Sequence, residues 1–181
     1  MATTSQPFVG AYTADPIHSS FGFAVQYMGV STFRGTLDEV AATLAADENG
    51  YTLHGTAKAE SISIRTPEQF RQHVLSAEFF DAANHPDVTF RSTAVDFDAD
   101  GTAVAQGELT IKGITRPAVA KGTWSAPAPD AFGNTRGHLH LETVVNRREF
   151  DFNWDAPLPG GGSALADDIT ITVDIALVAQ A

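Results

Sequence analysis

The chain contains no cysteine, which removes disulfides, thiolate metal sites and cysteine nucleophiles together. Positive charge is scarce as well: Lys58, Lys112 and Lys121 are the only lysines, and the net charge of the 181 residues is −11. Such a field repels phosphate backbones and anionic headgroups, so neither nucleic acid nor an acidic lipid surface is an expected partner. Long apolar runs are missing too. No stretch approaches the roughly 20 apolar residues of a membrane span, and stable membrane insertion is not expected. Met1 to Gly10 carries neither a basic n-region nor a signal-length apolar core, so the expected location is cytoplasmic. Residues 1–11 read as a flexible N-terminal segment, and residues 12–181 as one domain.

What is present is alternation with period two. Ile17, Phe21, Phe23, Val25 and Tyr27 share one face of a strand, and Ile169, Ile171, Val173, Ile175 and Leu177 share one face of another. Further strand patterns lie near 33–46, 51–62, 87–98, 102–112, 114–126 and 135–146. Asn49-Gly50 and Asp100-Gly101 predict type I′ hairpins, and Lys112-Gly113 marks a tight corner between two alternating runs. One segment departs from the pattern. Thr66-Pro67-Glu68-Gln69 has a capping threonine, proline at the first helical position and a capping-box glutamine, predicting one short helix near 67–76. The fold class is therefore all-β: an eight-stranded antiparallel barrel with a single helical insertion.

The inward faces are uneven. Ala103, Ala105, Gly107, Leu109 and Ile111 form one, Ala118, Ala120, Gly122 and Trp124 a second, and Tyr51, Leu53, Gly55, Ala57 and Ala59 a third. Bulky at one end and nearly bare at the other, they leave room for a ligand. The alternative is that the small residues ease strand curvature or pack beneath the helix.

Catalytic and metal readings fare poorly. His138 and His140 point to one face, opposite Leu139 and Leu141, with no third ligand or supporting shell identifiable. Asp96 to Gly101 opens like a calcium loop, but its twelfth position is Gly107, with Glu108 one step late. His18 and Ser19 are neighbours on a strand and point apart, and no Gly-x-Ser-x-Gly elbow is present. No enzymatic activity, metal or cofactor is expected.

Six stretches carry a family resemblance. They are Asp15 to Phe23, His73 to Asp81, His85 to Ser92, Leu109 to Pro117, Phe132 to Arg136 and Val145 to Phe152, in family order. With them the chain resembles the YceI-like family, lipocalin-like barrels that bind polyisoprenoids or other long-chain amphiphiles. The resemblance implies a barrel interior that holds a prenyl or acyl chain, for binding, carriage or sequestration of an isoprenoid or similar lipid. The net charge of −11 makes a neutral headgroup such as a quinone, or a fatty amide or acid held by few contacts, the expected one. A filled barrel serving as a structural or stress-related interaction domain is the alternative; an enzyme acting on a bound lipid ranks behind both.

The residues expected around the lipid tail are Phe21, Phe23, Val25, Phe79, Phe80 and Phe90, then Leu109, Ile111, Trp124, Leu139 and Leu141. Phe150, Phe152, Trp154, Ile171 and Val173 complete them, with His18, Arg65, His73, Arg116 and Arg147 as headgroup candidates. Two departures stand out: Phe70-Arg71 replaces an Arg-Asp pair often found before the motif histidine, and many members carry an export signal. Family members often pair, so a homodimer is left open; no residue pattern here marks an interface.

Overall fold

The alternating runs close into a barrel in the computed structural model, which describes residues 6–181. Its strands are β1 (Gly10–Ala14), β2 (Ser20–Tyr27), β3 (Ser31–Leu37), β4 (Val40–Asp47) and β5 (Gly50–Lys58). After the helix α1 (Glu68–Leu75) come β6 (Asp87–Phe97), β7 (Thr102–Ile111), β8 (Ile114–Pro129), β9 (Thr135–Asn146) and β10 (Leu165–Ala179). β1 and β2 are two pieces of one wall strand, since both pair antiparallel with β10, at Tyr12–Ala179 and at Phe21–Val173. β3 and β4 are likewise two pieces of the next strand. Counted this way the wall has eight strands, each antiparallel to its neighbour, and β10 returns onto β1 to close it. Closure of β10 onto β1 removes most of the edge that an open array of this length would expose and leaves β3 as the free one.

The seam of the barrel lies at β3. β5 stops at Lys58, opposite the start of β4, so beyond Val40 it gives β3 no partner strand. β3 meets the following segment only at its end, where Leu37 bridges Ile62 and the Thr36 N–H donates to Ser63 Oγ at 2.9 Å. The gap above is covered by α1. Its Arg71 reaches back to three carbonyls, those of Glu60 (2.8 Å), Ile62 and Ile64 (3.3 Å each).

Several local expectations change. Pro67 is extended at ψ 154° and forms the cap itself, so the helix begins at Glu68, and the Thr66–Gln69 capping box is not formed. At both expected type I′ hairpins only the glycine has positive φ, Gly50 at 121° and Gly101 at 90°. In each the glycine closes the turn at the start of or just before the next strand, where the left-handed region favours glycine. Lys112 and Gly113 do both adopt positive φ, 54° and 73°, between paired Ile111 and Ile114. Gly113 is further constrained by the His85 ring, which occupies the space of a Cβ. Ile17 leaves the inward face: the Asp15 carboxylate accepts its N–H at 3.0 Å, turning Pro16–His18 outward and leaving Ile17 85% exposed.

The N-terminal expectation also changes. Residues 1–5 lie outside the described residues, but from Phe8 onward the chain is packed rather than flexible. Phe8 is fully buried, and Gly10 and Ala11 pair with Ala46 and Ala45. The Phe8 ring sits edge-on to Tyr12 and against Phe97 and Trp124, and with Leu44, Leu139 and Leu177 it seals one end of the barrel. A one-sided strand pattern does not reveal a plug, because the plug residue belongs to no strand.

Candidate functional site

At the end opposite Phe8 the barrel holds a cavity of about 540 Å³, within the ~300–1,000 Å³ of ordinary small-molecule sites. Strands supply Phe21, Phe23, Val25 and Phe33, α1 supplies Phe70 and His73, and the loops after α1 and β9 supply Phe79, Phe80, Phe152 and Trp154. The rings meet edge to face, Phe80 on Phe152 at 5.1 Å and His73 between Phe79 (5.1 Å) and Trp154 (5.7 Å). Such contacts fix ring positions without filling the space between them. Phe23 lies flat over Gly35, its cross-strand partner, where any Cβ would strike the ring.

Two cations hold the mouth loop in place. Arg147, 2% exposed, donates from Nε to Ala166 O (2.9 Å), from Nη1 to Phe152 O and Trp154 O (2.7 Å), and from Nη2 to Leu165 O (3.2 Å). Burial, with Arg148 beside it, pushes its pKa below the usual arginine value. Lys112 Nζ donates to Asp151 O at 2.8 Å and stands 5.6 Å from the Phe152 ring centre. The Lys112-Gly113 corner and the Asn146–Phe152 stretch thus build one object: a loop that presents Phe152 and Trp154 to the cavity.

Below this cavity lies a smaller one of about 100 Å³, walled by Leu53, Gly55, Ala57, Ala118 and Ala120 among others. Phe21, Val88 and Ile171 border both spaces. The glycines on the inward faces divide into two kinds. A Cβ on Gly55 would find nothing nearer than 3.9 Å, whereas one on Gly107 would strike Arg91 O and one on Gly122 His140 O. Gly55 opens space; Gly107 and Gly122 allow close backbone approach between strands.

Of the residues expected around a tail, Phe21 and Ile171 border both cavities. Phe23, Val25, Phe79, Phe80, Ile111, Phe150, Phe152 and Trp154 line the larger cavity. Phe90, Leu109, Leu141 and Val173 line the smaller. The structure does not bring Trp124 and Leu139 there: both pack around Phe8, and Trp124 Nε1 donates to Asp98 O at 2.9 Å.

Among the headgroup candidates only His73 and Arg147 reach the cavity, and the N–H groups of Arg147 are taken up by backbone carbonyls. His73 Nε2 is hydrogen-bonded to the Glu78 carboxylate. His18 sits outside on Asp15 (2.7 Å), Arg65 outside against Asp38 (3.4 Å), and Arg116 donates to its neighbour's carbonyl. His138 and His140 face outward and share Asp174. Unforeseen lining residues include Phe33, Val145, Leu165 and Phe70. Val145 continues the inward alternation of Leu141 and Phe33 that of Leu37, so period two carried their signal; for Leu165 and Phe70 it did not.

A family model described as a YceI-like domain matches residues 12–177. The chain belongs to the YceI-like family. A UPF0312 protein of Pseudomonas savastanoi pathovar phaseolicola is 28% identical over 143 residues, 77% of this chain and 74% of the relative. Among solved structures, BcnA of Burkholderia cenocepacia superposes with a TM-score of 0.70 at 20% identity, covering 92% of this chain and 99% of that one. A polyisoprenoid binding domain from Saccharophagus degradans gives 0.63 at 9% identity, over 96% of this chain and 100% of that one. At these identities the likeness is one of fold, the closed YceI-like barrel.

The family's motif stretches have structural explanations here. Asp15 accepts from Arg136 Nη1 (2.8 Å) and His18 Nδ1 (2.7 Å), while Arg136 Nε also donates to Asp130 at 2.6 Å. Arg136 first, then His18, holds the Asp15 carboxyl far below the ordinary carboxylate range. Asp130 is drawn down to about 2, chiefly by Arg136 and then by the Asn134 and Phe132 N–H groups. Two distant YceI-like motifs are therefore one clamp between the β1–β2 turn and the β8–β9 hairpin.

Proposed function

We propose that this YceI-like chain binds an isoprenoid or similar long-chain amphiphile with an uncharged headgroup, holding the tail inside the barrel for carriage or sequestration. What supports the tail is the aromatic-walled cavity of about 540 Å³. Each buried methylene contributes about 0.8 kcal/mol, so a five-carbon unit contributes on the order of 3–4 kcal/mol before ordering costs. The family and the polyisoprenoid binding domain among its structural neighbours support the same ligand class.

The observation that carries the neutral headgroup is the commitment of the nearby cations. Arg147 and Arg71 are bonded to backbone carbonyls, Lys112 to Asp151 O, and Arg148 to Asp167 (2.7 Å) and Asp155 (3.2 Å). An anionic headgroup would have to break one of these sets against a net charge of −11. His73, held by Glu78, is the side chain at the mouth suited to a neutral carbonyl or hydroxyl. Displacement of a fluorescent apolar probe by farnesol and by farnesyl pyrophosphate tests this. Farnesol is expected to compete at least tenfold better. Preference for the pyrophosphate, or its recovery as the dominant lipid in native mass spectrometry, overturns the neutral-headgroup reading.

A further inference from the structure

The two cavities meet at a waist formed by Phe21 and Ile171 on one wall and Val88 on β6. Phe21 and Ile171 stand close together because β2 and β10 pair at Phe21–Val173 and Phe23–Ile171. The outer cavity is walled in part by rings carried on α1 and two loops. The inner one is different. Its small walls, Ala57, Ala118 and Ala120, are buried on paired strands, and its floor is the packed cluster around Phe8. It therefore has a fixed depth and cannot lengthen to follow a longer chain.

We infer that this inner chamber is the terminal subsite of the tail site and sets the chain length the protein accepts. The inference rests on the lipid-binding reading of the outer cavity and names a property that reading does not supply. At about 100 Å³ the chamber is far smaller than the outer cavity and takes only the far end of a tail. That is the branched end of a prenyl chain or the last carbons of an acyl chain. A tail ending at the waist leaves the chamber empty and forfeits its contacts; a tail that outruns the chamber meets the Phe8 floor and must leave carbons in water at the mouth. Gly55 is the position that tunes the depth. It is the wall residue at which an added Cβ meets only ordinary contact distances, 3.9 Å to Ala41 O. A Cβ added there subtracts from the chamber without striking the wall.

The test is a displacement series with geraniol, farnesol and geranylgeraniol against the full chain, its Gly55→Val variant and, as milder and independent fillings, Gly55→Ala and Ala120→Val. In the unaltered protein affinity rises with each added unit until the chamber is filled. In the filled variants the optimum moves to a shorter alcohol, with about tenfold weaker binding of the alcohol the unaltered protein prefers and geraniol unchanged within twofold. Thermal melts establish which variants are folded, and Gly55→Ala keeps the measurement decisive if the larger fillings fail to fold. An unchanged length profile in a folded filled variant overturns the subsite while leaving lipid binding intact. Failure of the unaltered protein to bind any of the three alcohols overturns the lipid reading itself, and the subsite with it.

Discussion

Glycine has opposite meanings at neighbouring positions of this barrel. Gly107 and Gly122 sit where a backbone oxygen of the next strand occupies the place of a Cβ, and Gly55 sits where nothing does. The expected outcome of Gly122→Ala is a loss of about 2–3 kcal/mol, because overpacking against backbone is relieved only by moving the strand. Gly55→Ala is expected to be neutral or stabilising by up to about 1 kcal/mol, since it fills space and restrains the unfolded chain. Urea denaturation of the two variants side by side checks the ordering; equal destabilisation would contradict it. Both glycines lie on the inward parity of their strands, so the alternation placed them on the correct face. It could not say which faced a void, because that depends on the backbone of a different strand.

Among elements, the clamp of Asp15, Arg136 and Asp130 joins two loops more than 100 residues apart in the chain. Depressed folded-state pKa values give a definite sign. Asp130 contributes stability that is fully present above its ordinary value of 3.8 and is lost as pH falls through about 2; Asp15 loses its share lower still. The midpoint of thermal unfolding is therefore expected to fall between pH 4 and 2 more steeply for the natural chain than for Arg136→Met. Circular dichroism melts across that window check it, and parallel curves would remove the clamp from the acid response. His18, a headgroup candidate by sequence, lies within this clamp because the Pro16–His18 turn swings it outward. The helix shows the same limit. Its existence was legible from Thr66-Pro67 and the break in alternation, but its start moved once Pro67 adopted an extended ψ.

For the whole molecule, the decisive asymmetry is a barrel closed at one end and open at the other. The closed end depends on Phe8, which precedes the residues matched by the family model. Phe8→Ala is expected to cost about 3–5 kcal/mol, as for a large aromatic lost from a packed core, and to join the inner chamber to solvent. A drop in melting temperature with gained binding of a fluorescent apolar dye reports both effects; an unchanged melt would show that the floor stands without its plug.

The sequence by itself determined the eight-stranded antiparallel wall, the family, the outward histidines and most of the side chains facing inward. Those properties follow from period-two patterning, turn residues and ordered motifs, all local along the chain. Tertiary structure alone decided where the space lies. The larger cavity exists because β5 ends at Lys58 while β3 runs on, so rings on α1 and two loops stand where wall strands would have stood. It also decided that Arg147 braces a loop instead of meeting a headgroup, since its acceptors are carbonyls 5 to 19 residues away that converge only on folding.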